Sequence, residues 1–461
     1  MDVSKAEIAS QLVPVLGDQR DSAGDIERFA ESLFEKHSSS VRVHWGLSQS
    51  DINLPLQPIV WYRLGYQCTD PSVRLGQTLD FAVGDYYLQD SGSMLALAAC
   101  EADRPIEVEA PRRLICDLCA APGGKATALL ESIGDGFLLA NEPIKSRVAP
   151  LAFNLARTGS NRYAISSMDP ERLAHQLGGI FDLVVVDAPC SGQALLSKGK
   201  QTLSSITIAQ VEHSAARARR ILQSAFMLLR PGGQLVFSTC TFAERENEAQ
   251  IDWLIDEFPA IPDPVDRLSP YQSAPRRRSH ENSPENACCY RLWPHRDRCA
   301  GSFAASVRSD VDVPSVGSFR ERKSKGKRRK QKQGTDIELP EAVATMIEAK
   351  ELRIEEGEVN LWAWPADAPS WVEAISISGP ELAYRTGRTW KPSHHLARRR
   401  DLQFIDSLEV DEADAWRYLR GESIRCETNG WRVVCHRGRG LGWIKASGGV
   451  GKNHLPPAAR F

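Results

Sequence analysis

The sequence lacks a long hydrophobic run, and it has no marked excess of one charge. No apolar stretch in its 461 residues approaches the roughly 18 residues of a membrane-spanning helix. The N-terminus has no basic segment followed by an apolar one, as a secretory signal would have. The formal net charge is −2, so any attraction to nucleic acid must come from local patches. We therefore expect a cytoplasmic protein without a membrane anchor.

The cysteines have no repeating spacing. There are 11 of them, and an odd, scattered set is typical of a reducing cytosol rather than of a disulfide framework. Cys116 and Cys119 form a C-x-x-C pair, but a zinc site would need a second pair, and none follows. Cys116 lies within the apolar run 114–118, so we expect it to be a buried strand residue. We expect no metal site.

Two nucleotide-binding signatures are also absent. Segment 119–125 is rich in small residues, which let a ligand approach the backbone at the start of a helix. A phosphate-binding P-loop would need Gly at 119 and Ser or Thr at 126, where the chain has Cys119 and Ala126. The dinucleotide fingerprint G-x-G-x-x-G is missing as well. The loop therefore fits neither ATP nor a dinucleotide well.

Short apolar runs alternate with amphipathic stretches from 113 to about 308. We predict strands at 114–118, 137–141, 163–166, 182–186 and 234–238, with helices at about 124–132, 145–157, 170–177 and 207–229. This alternation predicts βαβ units and an α/β fold with a doubly wound, mostly parallel sheet. Ligands of such sheets bind at the carboxyl ends of the strands.

Three carboxylates follow three successive predicted strands. They are Glu142, Asp169 and Asp187. One such residue alone is usually a helix cap or a solvated acid. Three in series beside a glycine-rich turn favour a nucleoside ligand, because an acid after the second strand commonly binds ribose hydroxyls. Since both nucleotide signatures are missing, S-adenosylmethionine fits this pattern better than ATP or NAD.

Two cysteines follow neighbouring predicted strands. Cys190 comes after the strand at 182–186, and Cys240 comes after the strand at 234–238. A single buried cysteine usually acts as a small hydrophobe, but two beside a methyl-donor pocket suggest chemistry. A thiolate that adds to carbon 6 of cytosine makes carbon 5 nucleophilic, and a second thiol can assist release. Asp187 can hydrogen-bond the base, and Lys125 is a candidate neighbour for the thiolate.

As an ordered set, these segments resemble the RsmB/RsmF-type (Nop/Sun group) RNA cytosine-5 methyltransferases. The resemblance extends over about 85–308 and includes segments 85–90, 93–94, 117–125, 187–192, 238–241, 246–248, 291–295 and 301–303. It implies a Rossmann-like class I methyltransferase core, with Cys240 as nucleophile and Cys190 assisting release of the product. The residues that it implies for S-adenosylmethionine binding are Cys119, Ala120, Ala121, Pro122, Gly123, Gly124, Lys125, Glu142, Asp169 and Asp187.

Four segments are predicted along the chain. They are a small α+β RNA-binding subdomain (1–90), the methyltransferase core (91–308), a basic linker (309–335) and a PUA-like RNA-binding domain (336–461). The linker is either a solvated spacer or a phosphate-binding arm. The basic segment 391–400 is also expected to hold phosphates. Segments 419–422, 430–431, 441–445 and 452–456 resemble the tail of RsmF-like enzymes, which act on small-subunit ribosomal RNA.

Together these features predict a monomeric S-adenosylmethionine-dependent enzyme that methylates carbon 5 of a cytidine in 16S rRNA. A cytosine-5 methyltransferase acting on tRNA remains an alternative. A non-catalytic RNA-binding factor for ribosome assembly is a third interpretation. Such a factor would be expected to have lost Cys190, Cys240 or Asp187, and all three are present.

Overall fold

The computed structural model describes residues 5–104, 111–273, 288–310, 339–348 and 351–461. Most of the predicted basic linker, from 311 onward, lies outside these residues, so both interpretations of it stay predictions. Among the described residues, no helix combines the length and the apolar character that crossing a membrane requires.

The N-terminal part combines helices with a small antiparallel sheet. The sheet has the strand order β2-β3-β1-β4. Phe29, in the third helix, packs against the rings of Phe242 and Trp293 at centroid distances of 4.9 and 5.3 Å. This contact places the helices beside the segment that follows Cys240. The elements are α1 Lys5–Leu16, α2 Arg20–Ala23, α3 Ile26–Ser32, β1 Ser40–Val43, β2 Leu56–Pro58, β3 Gly65–Cys68, α4 Leu79–Val83 and β4 Tyr86–Leu88.

The central part is an eight-stranded sheet with helices on both faces. Its strand order is β10-β12-β9-β8-β5-β6-β7, and β11 pairs with β12. Strands β5 to β9 are parallel to one another, whereas β10, β11 and β12 pair antiparallel. The elements are α5 Met94–Ala99, β5 Leu114–Asp117, α6 Gly124–Glu131, β6 Phe137–Asn141, α7 Val148–Arg157, β7 Tyr163–Ser166, α8 Pro170–Leu177, β8 Phe181–Asp187, α9 Ile208–Leu228, β9 Leu229–Thr239, α10 Glu248–Glu257, β10 Ala260–Pro262, β11 Cys289–Leu292, α11 Pro294–Asp297 and β12 Ser302–Ser309.

This topology confirms the predicted doubly wound, mostly parallel core. Strand β9 begins five residues earlier than predicted, because the chain leaves α9 and pairs with β8 at once. The register between β8 and β9 then shifts before Leu183 meets Gln234. Strand β8 lies between β5 and β9, so the segments that follow these three strands meet at one edge of the sheet.

The C-terminal part contains two separate sheets. The first has the strand order β13-β14-β15-β16, and the second has the order β17-β19-β20-β21-β18. The elements are α12 Glu341–Ala344, β13 Leu352–Glu356, β14 Asn360–Pro365, α13 Val372–Ile375, β15 Glu381–Thr386, β16 Thr389–Pro392, α14 His394–Arg398, β17 Ser407–Glu409, α15 Glu412–Leu419, β18 Ile424–Arg425, β19 Gly430–His436, β20 Arg439–Ser447 and β21 Val450–Asn453.

The first of these sheets packs against the central sheet. Trp364 is buried, and its indole Nε1 donates a hydrogen bond to the carbonyl of Tyr163 at 2.8 Å. The ring of Trp371 contacts that of Phe137 at a centroid distance of 5.8 Å. Residues 336–461, predicted as one domain, thus hold two sheets of which the first shares its apolar core with β7 and its neighbours. The four predicted segment boundaries stay predictions.

Two arginines of the basic segment 391–400 have structural partners. Arg398 is buried and donates hydrogen bonds to the carbonyls of Ala82 and Gly440. Arg399 is also buried and forms a two-pronged ion pair with Asp401. The expectation that this segment holds phosphates is therefore wrong for Arg398 and Arg399, because their guanidinium groups are not accessible to RNA.

A buried ion pair supports the loop that follows Cys240. Arg291, in β11, donates to both carboxylate oxygens of Glu248 at 2.6 Å each, and both side chains are almost fully buried. Arg291 also donates to the carbonyl of Phe242 at 3.0 Å. Glu248 lies in segment 246–248, which is part of the family resemblance. In the structure it holds Arg291 in place, and Arg291 in turn binds the carbonyl of Phe242.

Replacing Glu248 by Gln should destabilise the protein strongly. The change leaves the Arg291 charge buried without its counter-ion, which costs about 3–5 kcal/mol of unfolding free energy. Chemical denaturation followed by circular dichroism measures the effect. The control is Glu427→Gln, which breaks the exposed pair with Arg425 and should leave the stability unchanged. Equal behaviour of the two variants would contradict the supporting role of Glu248.

Candidate active site

The loop between β5 and α6 lies across the carboxyl ends of the parallel strands. The amide of Leu118 donates to the carbonyl of Val185, and the amide of Ala120 donates to the carbonyl of Asn141, both at 2.9 Å. Gly123 has a φ of +116°, and a Cβ atom there would lie 3.2 Å from Cβ of Asn154. A glycine is therefore required at the turn into α6. Segment 118–125, which includes the predicted cofactor loop, thus contacts both neighbouring strands.

Asp117, the last residue of β5, is a buried carboxylate at this edge. Its exposed fraction is 1%, and among the described residues neither carboxylate oxygen has a hydrogen bond of good geometry. Burial raises the pKa of Asp117 to about 7, against the opposing effect of Lys125. Asp117 was not among the predicted site residues, although it follows an apolar run at the end of a strand just as Asp187 does. A buried acceptor of this kind fits a cationic or hydrogen-donating ligand.

Glu142 and Asp169 lie near the same edge, and each has a backbone partner. Glu142 is buried and accepts hydrogen bonds from the amides of Ile144 at 2.9 Å and Ala121 at 3.3 Å. Asp169 is exposed and caps α8 by accepting from the amide of Glu171 at 3.0 Å. Glu142 thus shapes the glycine-rich loop directly. Cofactor binding by these two residues stays a prediction.

Asp187 and Lys125 form an ion pair beside the loop. The Nζ of Lys125 lies 2.7 Å from Oδ2 of Asp187, while Ser238 donates to Oδ1 at 2.8 Å. Burial alone would lower the pKa of Lys125, but the carboxylates of Asp187 and Asp117 raise it, and Cys240 adds to that rise. Lys125 and Cys240 are thus close enough to interact electrostatically, and the proposed part of Lys125 beside the thiolate stays a prediction. The Asp187 side chain is 44% exposed, so it remains accessible to a ligand.

The two cysteines are in contact. The Sγ atoms of Cys190 and Cys240 lie 3.3 Å apart, and the amide of Cys240 donates to Sγ of Cys190 at 3.4 Å. Both residues are partly exposed. The hydrogen bond with Cys240 and burial raise the pKa of the Cys190 thiol well above its ordinary value. This placement confirms the expectation that adjacent strands bring the two thiols together.

Glu246 joins the two loops that carry the cysteines. Its carboxylate accepts hydrogen bonds from the hydroxyl and the amide of Ser191 at 2.6 and 2.8 Å. The hydroxyls of Ser191 and Thr241 lie 2.8 Å apart. Burial raises the pKa of Glu246 to about 7. Because Ser191 follows Cys190 and Thr241 follows Cys240, this network keeps the two thiols in contact. The sequence pattern did not reveal this role of Glu246.

Two family models match the sequence. The one described as 16S rRNA methyltransferase RsmB/F matches residues 107–308, and the one described as methyltransferase RsmF PUA domain matches residues 406–461. The first match contains the parallel strands and both cysteines. The second contains all five strands of the sheet formed by β17 to β21. The predicted presence of a C-terminal PUA-like domain is therefore confirmed.

Curated relatives match most of the chain. A protein of Erwinia tasmaniensis named ribosomal RNA small subunit methyltransferase F is 29% identical over 415 residues, covering 87% of this chain and 84% of that protein. A protein of the same name from Enterobacter sp. (strain 638) is 30% identical over 426 residues, covering 87% of this chain and 83% of that protein. Both alignments extend well beyond the central sheet.

Solved structures share the fold at lower identity. A methyltransferase homolog protein from Pyrococcus horikoshii has a TM-score of 0.54 and 24% identity, over 67% of this chain and 100% of that chain. NSun6 from Pyrococcus horikoshii, solved with SFG, has a TM-score of 0.51 and 19% identity, over 65% of this chain and 98% of that chain. These likenesses establish the fold alone.

The site and the comparisons agree on the cofactor. S-adenosylmethionine carries a sulfonium and an ammonium group, and the buried carboxylate of Asp117, which has no hydrogen bond of good geometry among the described residues, suits such a cation. The chain belongs to the RsmB/F family of S-adenosylmethionine-dependent methyltransferases.

Proposed function

We propose that this protein transfers a methyl group to carbon 5 of a cytidine in RNA. The observation that carries the proposal is the pair of thiols, 3.3 Å apart, beside the cofactor loop. Carbon 5 of cytosine is a poor nucleophile, and a thiol that adds to the adjacent carbon 6 activates it. Among methyl acceptors, this one gives a chemical reason for two neighbouring cysteines.

Asp117, Glu142 and the backbone of 119–125 would hold the cofactor. When bound, S-adenosylmethionine supplies an electrophilic methyl group. The Glu142 carboxylate keeps the loop in shape through the amides of Ala121 and Ile144. Asp117 offers a buried acceptor at the end of β5 that has no hydrogen bond of good geometry among the described residues. These residues therefore bind and orient, and none of them needs to change its covalent state.

Cys240 is the proposed nucleophile. Its sulfur forms a bond to carbon 6, and the electron pair of the carbon 5–carbon 6 double bond becomes available at carbon 5 for the methyl group. The hydrogen bond with Cys240 and burial raise the pKa of the Cys190 thiol, which suits a partner that acts as a thiol. Lys125 adds a buried positive charge close to Cys240, which favours a thiolate there.

Release then requires loss of the carbon 5 proton and cleavage of the carbon 6–sulfur bond. The electrons of the carbon 5–hydrogen bond restore the double bond as Cys240 leaves. The carbon 5 proton passes to solvent water, and the electrons of the carbon 6–sulfur bond leave with Cys240 as a thiolate. The Cys190 thiol is in contact with Cys240, so it can assist by donating a hydrogen bond to the departing sulfur. Ser191, Thr241 and Glu246 would keep the two sulfurs at this spacing.

Asp187 is the proposed contact to the base. Its side chain remains 44% exposed while Lys125 and Ser238 hold its two oxygens. A carboxylate fixed in this way can accept a hydrogen bond from the exocyclic amine of cytosine. The base must be flipped out or unpaired, since carbon 6 is inaccessible in a stacked helix.

Ribosomal RNA of the small subunit is the proposed substrate. The support comes from the names of the curated relatives and from the PUA domain at the C-terminus. We further propose that the protein acts as a cytoplasmic monomer. The tRNA alternative has no comparable support. The non-catalytic alternative is disfavoured because Cys190, Cys240 and Asp187 are present and assembled at one edge of the sheet.

Cys240→Ala should abolish methylation, because the change removes the sulfur that adds to carbon 6. The loss should exceed about a thousandfold, as is typical when a covalent nucleophile is removed. Transfer of a radiolabelled methyl group to rRNA measures the rate. The matched control is Cys435→Ala in β19, outside the site. A Cys240→Ala protein with the normal rate would disprove the nucleophile assignment.

Cys190→Ala should trap the enzyme on its substrate. Methyl transfer can still occur once, but release is slowed, so a protein–RNA adduct that survives SDS should accumulate. Gel electrophoresis with labelled RNA detects it. Cys190→Ala/Cys240→Ala is the control and should form no adduct. If Cys190→Ala turns over repeatedly without an adduct, Cys190 has no part in release.

A strain that lacks the protein should lose 5-methylcytidine at a position of 16S rRNA. Bisulfite sequencing of rRNA and tRNA from the deletion strain and its parent locates the affected nucleotide. The unchanged gene should restore the mark, and the Cys240→Ala gene should not. Loss confined to tRNA would favour the alternative substrate instead.

A further inference from the structure

Three strands of the C-terminal sheet place one tryptophan and two lysines on one face. Trp431 in β19 lies opposite Lys445 in β20, and Lys445 lies opposite Lys452 in β21. Directly opposite residues of antiparallel strands project to the same side. The Nζ of Lys445 lies 5.8 Å from the Trp431 ring centre, and the ring of His454 lies 4.6 Å from it. We call these four residues and Lys391 the lysine–tryptophan patch.

Positive charge is concentrated in this patch. Burial lowers the pKa of His454, and the ammonium groups of Lys452, Lys391 and Lys445 lower it further. Among the described residues, no carboxylate lies within 4.0 Å of these three ammonium groups. Two arginines of the same part of the chain do have such partners. Arg417 in α15 pairs with Asp414 at 3.2 Å, and Arg432 in β19 pairs with Asp406 at 3.3 Å. Because these ammonium groups are clustered without carboxylate partners among the described residues, on a chain whose net charge is −2, the patch favours an anionic partner.

Trp431 is fixed as well as partly exposed. Its indole meets the ring of Trp443 edge to face, with a centroid distance of 6.4 Å and an angle of 89°. Trp443 is buried, and its Nε1 donates to the carbonyl of Ser393 at 2.7 Å. The Trp431 ring therefore loses little further freedom when a ligand stacks on it.

A fixed aromatic ring beside unpaired ammonium groups suits a single nucleic acid strand. Bases stack on such rings, and lysines neutralise the adjoining phosphates. Double-stranded RNA is recognised mainly through its shape and its backbone. A partly exposed indole contributes little to such recognition, because the bases of a duplex are stacked on one another. The chemistry of the patch therefore favours unpaired nucleotides.

We propose that the lysine–tryptophan patch binds unpaired nucleotides of the RNA substrate. One base stacks on Trp431, and the neighbouring phosphates contact Lys445 and Lys452. The identity of this RNA as the substrate rests on the proposed function. The patch contains none of the residues proposed for catalysis, so it holds the RNA and takes no part in the chemistry.

The test measures binding of the full-length protein to a fluorescently labelled single-stranded RNA of 20 nucleotides. A plot of log affinity against log salt concentration has a negative slope. Lys445→Ala/Lys452→Ala should reduce the magnitude of this slope by about 1.4, as expected when two phosphate contacts to a single strand are lost. Trp431→Ala should weaken binding about tenfold. Trp431→Phe should retain most of the affinity, because it keeps an aromatic face.

The control variant is Arg172→Ala/Arg220→Ala. These two arginines are exposed on α8 and α9, and their removal takes away the same charge at another surface. The control should leave both the affinity and its salt dependence unchanged. Calorimetric binding of S-adenosylmethionine should be the same for all variants, which verifies that the central sheet is intact.

Unchanged RNA binding by Lys445→Ala/Lys452→Ala would overturn the proposal, as would an equal loss in the control. If that lysine variant kept its RNA affinity but lost binding to small-subunit proteins, the patch would belong to a protein partner instead. Lys445→Ala/Lys452→Ala still tests whether the patch binds RNA if Trp431→Ala fails to fold. If the patch variants lose RNA affinity while the unchanged protein makes no 5-methylcytidine, the patch is supported and the proposed function fails.

Discussion

Parallel pairing of β8 between β5 and β9 is the constraint on which the rest of the structure depends. It places the ends of three strands at one edge, where the cofactor loop, Asp187 and the two cysteines leave the sheet. Each strand alone carries one or two ordinary polar residues. Only their alignment brings Lys125 within 2.7 Å of Asp187 and Cys190 within 3.3 Å of Cys240. The chemistry of the site thus follows from strand order.

Buried polar groups hold this edge in its arrangement. Glu246 joins the two cysteine-bearing loops through Ser191, and Arg291 with Glu248 supports the segment after Cys240. Burying charged groups costs free energy unless they are paired. Asp117 is held less firmly, since neither of its oxygens has a hydrogen bond of good geometry among the described residues. A protein tolerates such a group where a ligand completes it, which is why Asp117 is informative about the cofactor.

Arginine side chains tie the outer parts of the chain to the centre. Arg42 of the N-terminal sheet is buried and pairs with Glu131 at the end of α6. Arg398 bridges Ala82 and Gly440. Arg398 was a candidate for phosphate binding only because composition does not distinguish an exposed arginine from a buried one. The lysine–tryptophan patch differs from Arg398 because, among the described residues, its ammonium groups have no carboxylate within 4.0 Å.

The sequence by itself determined the alternating elements, the cofactor loop and the two cysteines, because apolar periodicity and short motifs are local properties of the chain. The class of ligand followed too, since the missing nucleotide signatures left few alternatives. Only the tertiary structure revealed the positions of Asp117 and Glu246 and the existence of the lysine–tryptophan patch. Their meaning depends on burial and on neighbours from distant segments, as when Glu246 meets Ser191 across 55 residues of chain. Such contacts are set by packing, which no local pattern encodes.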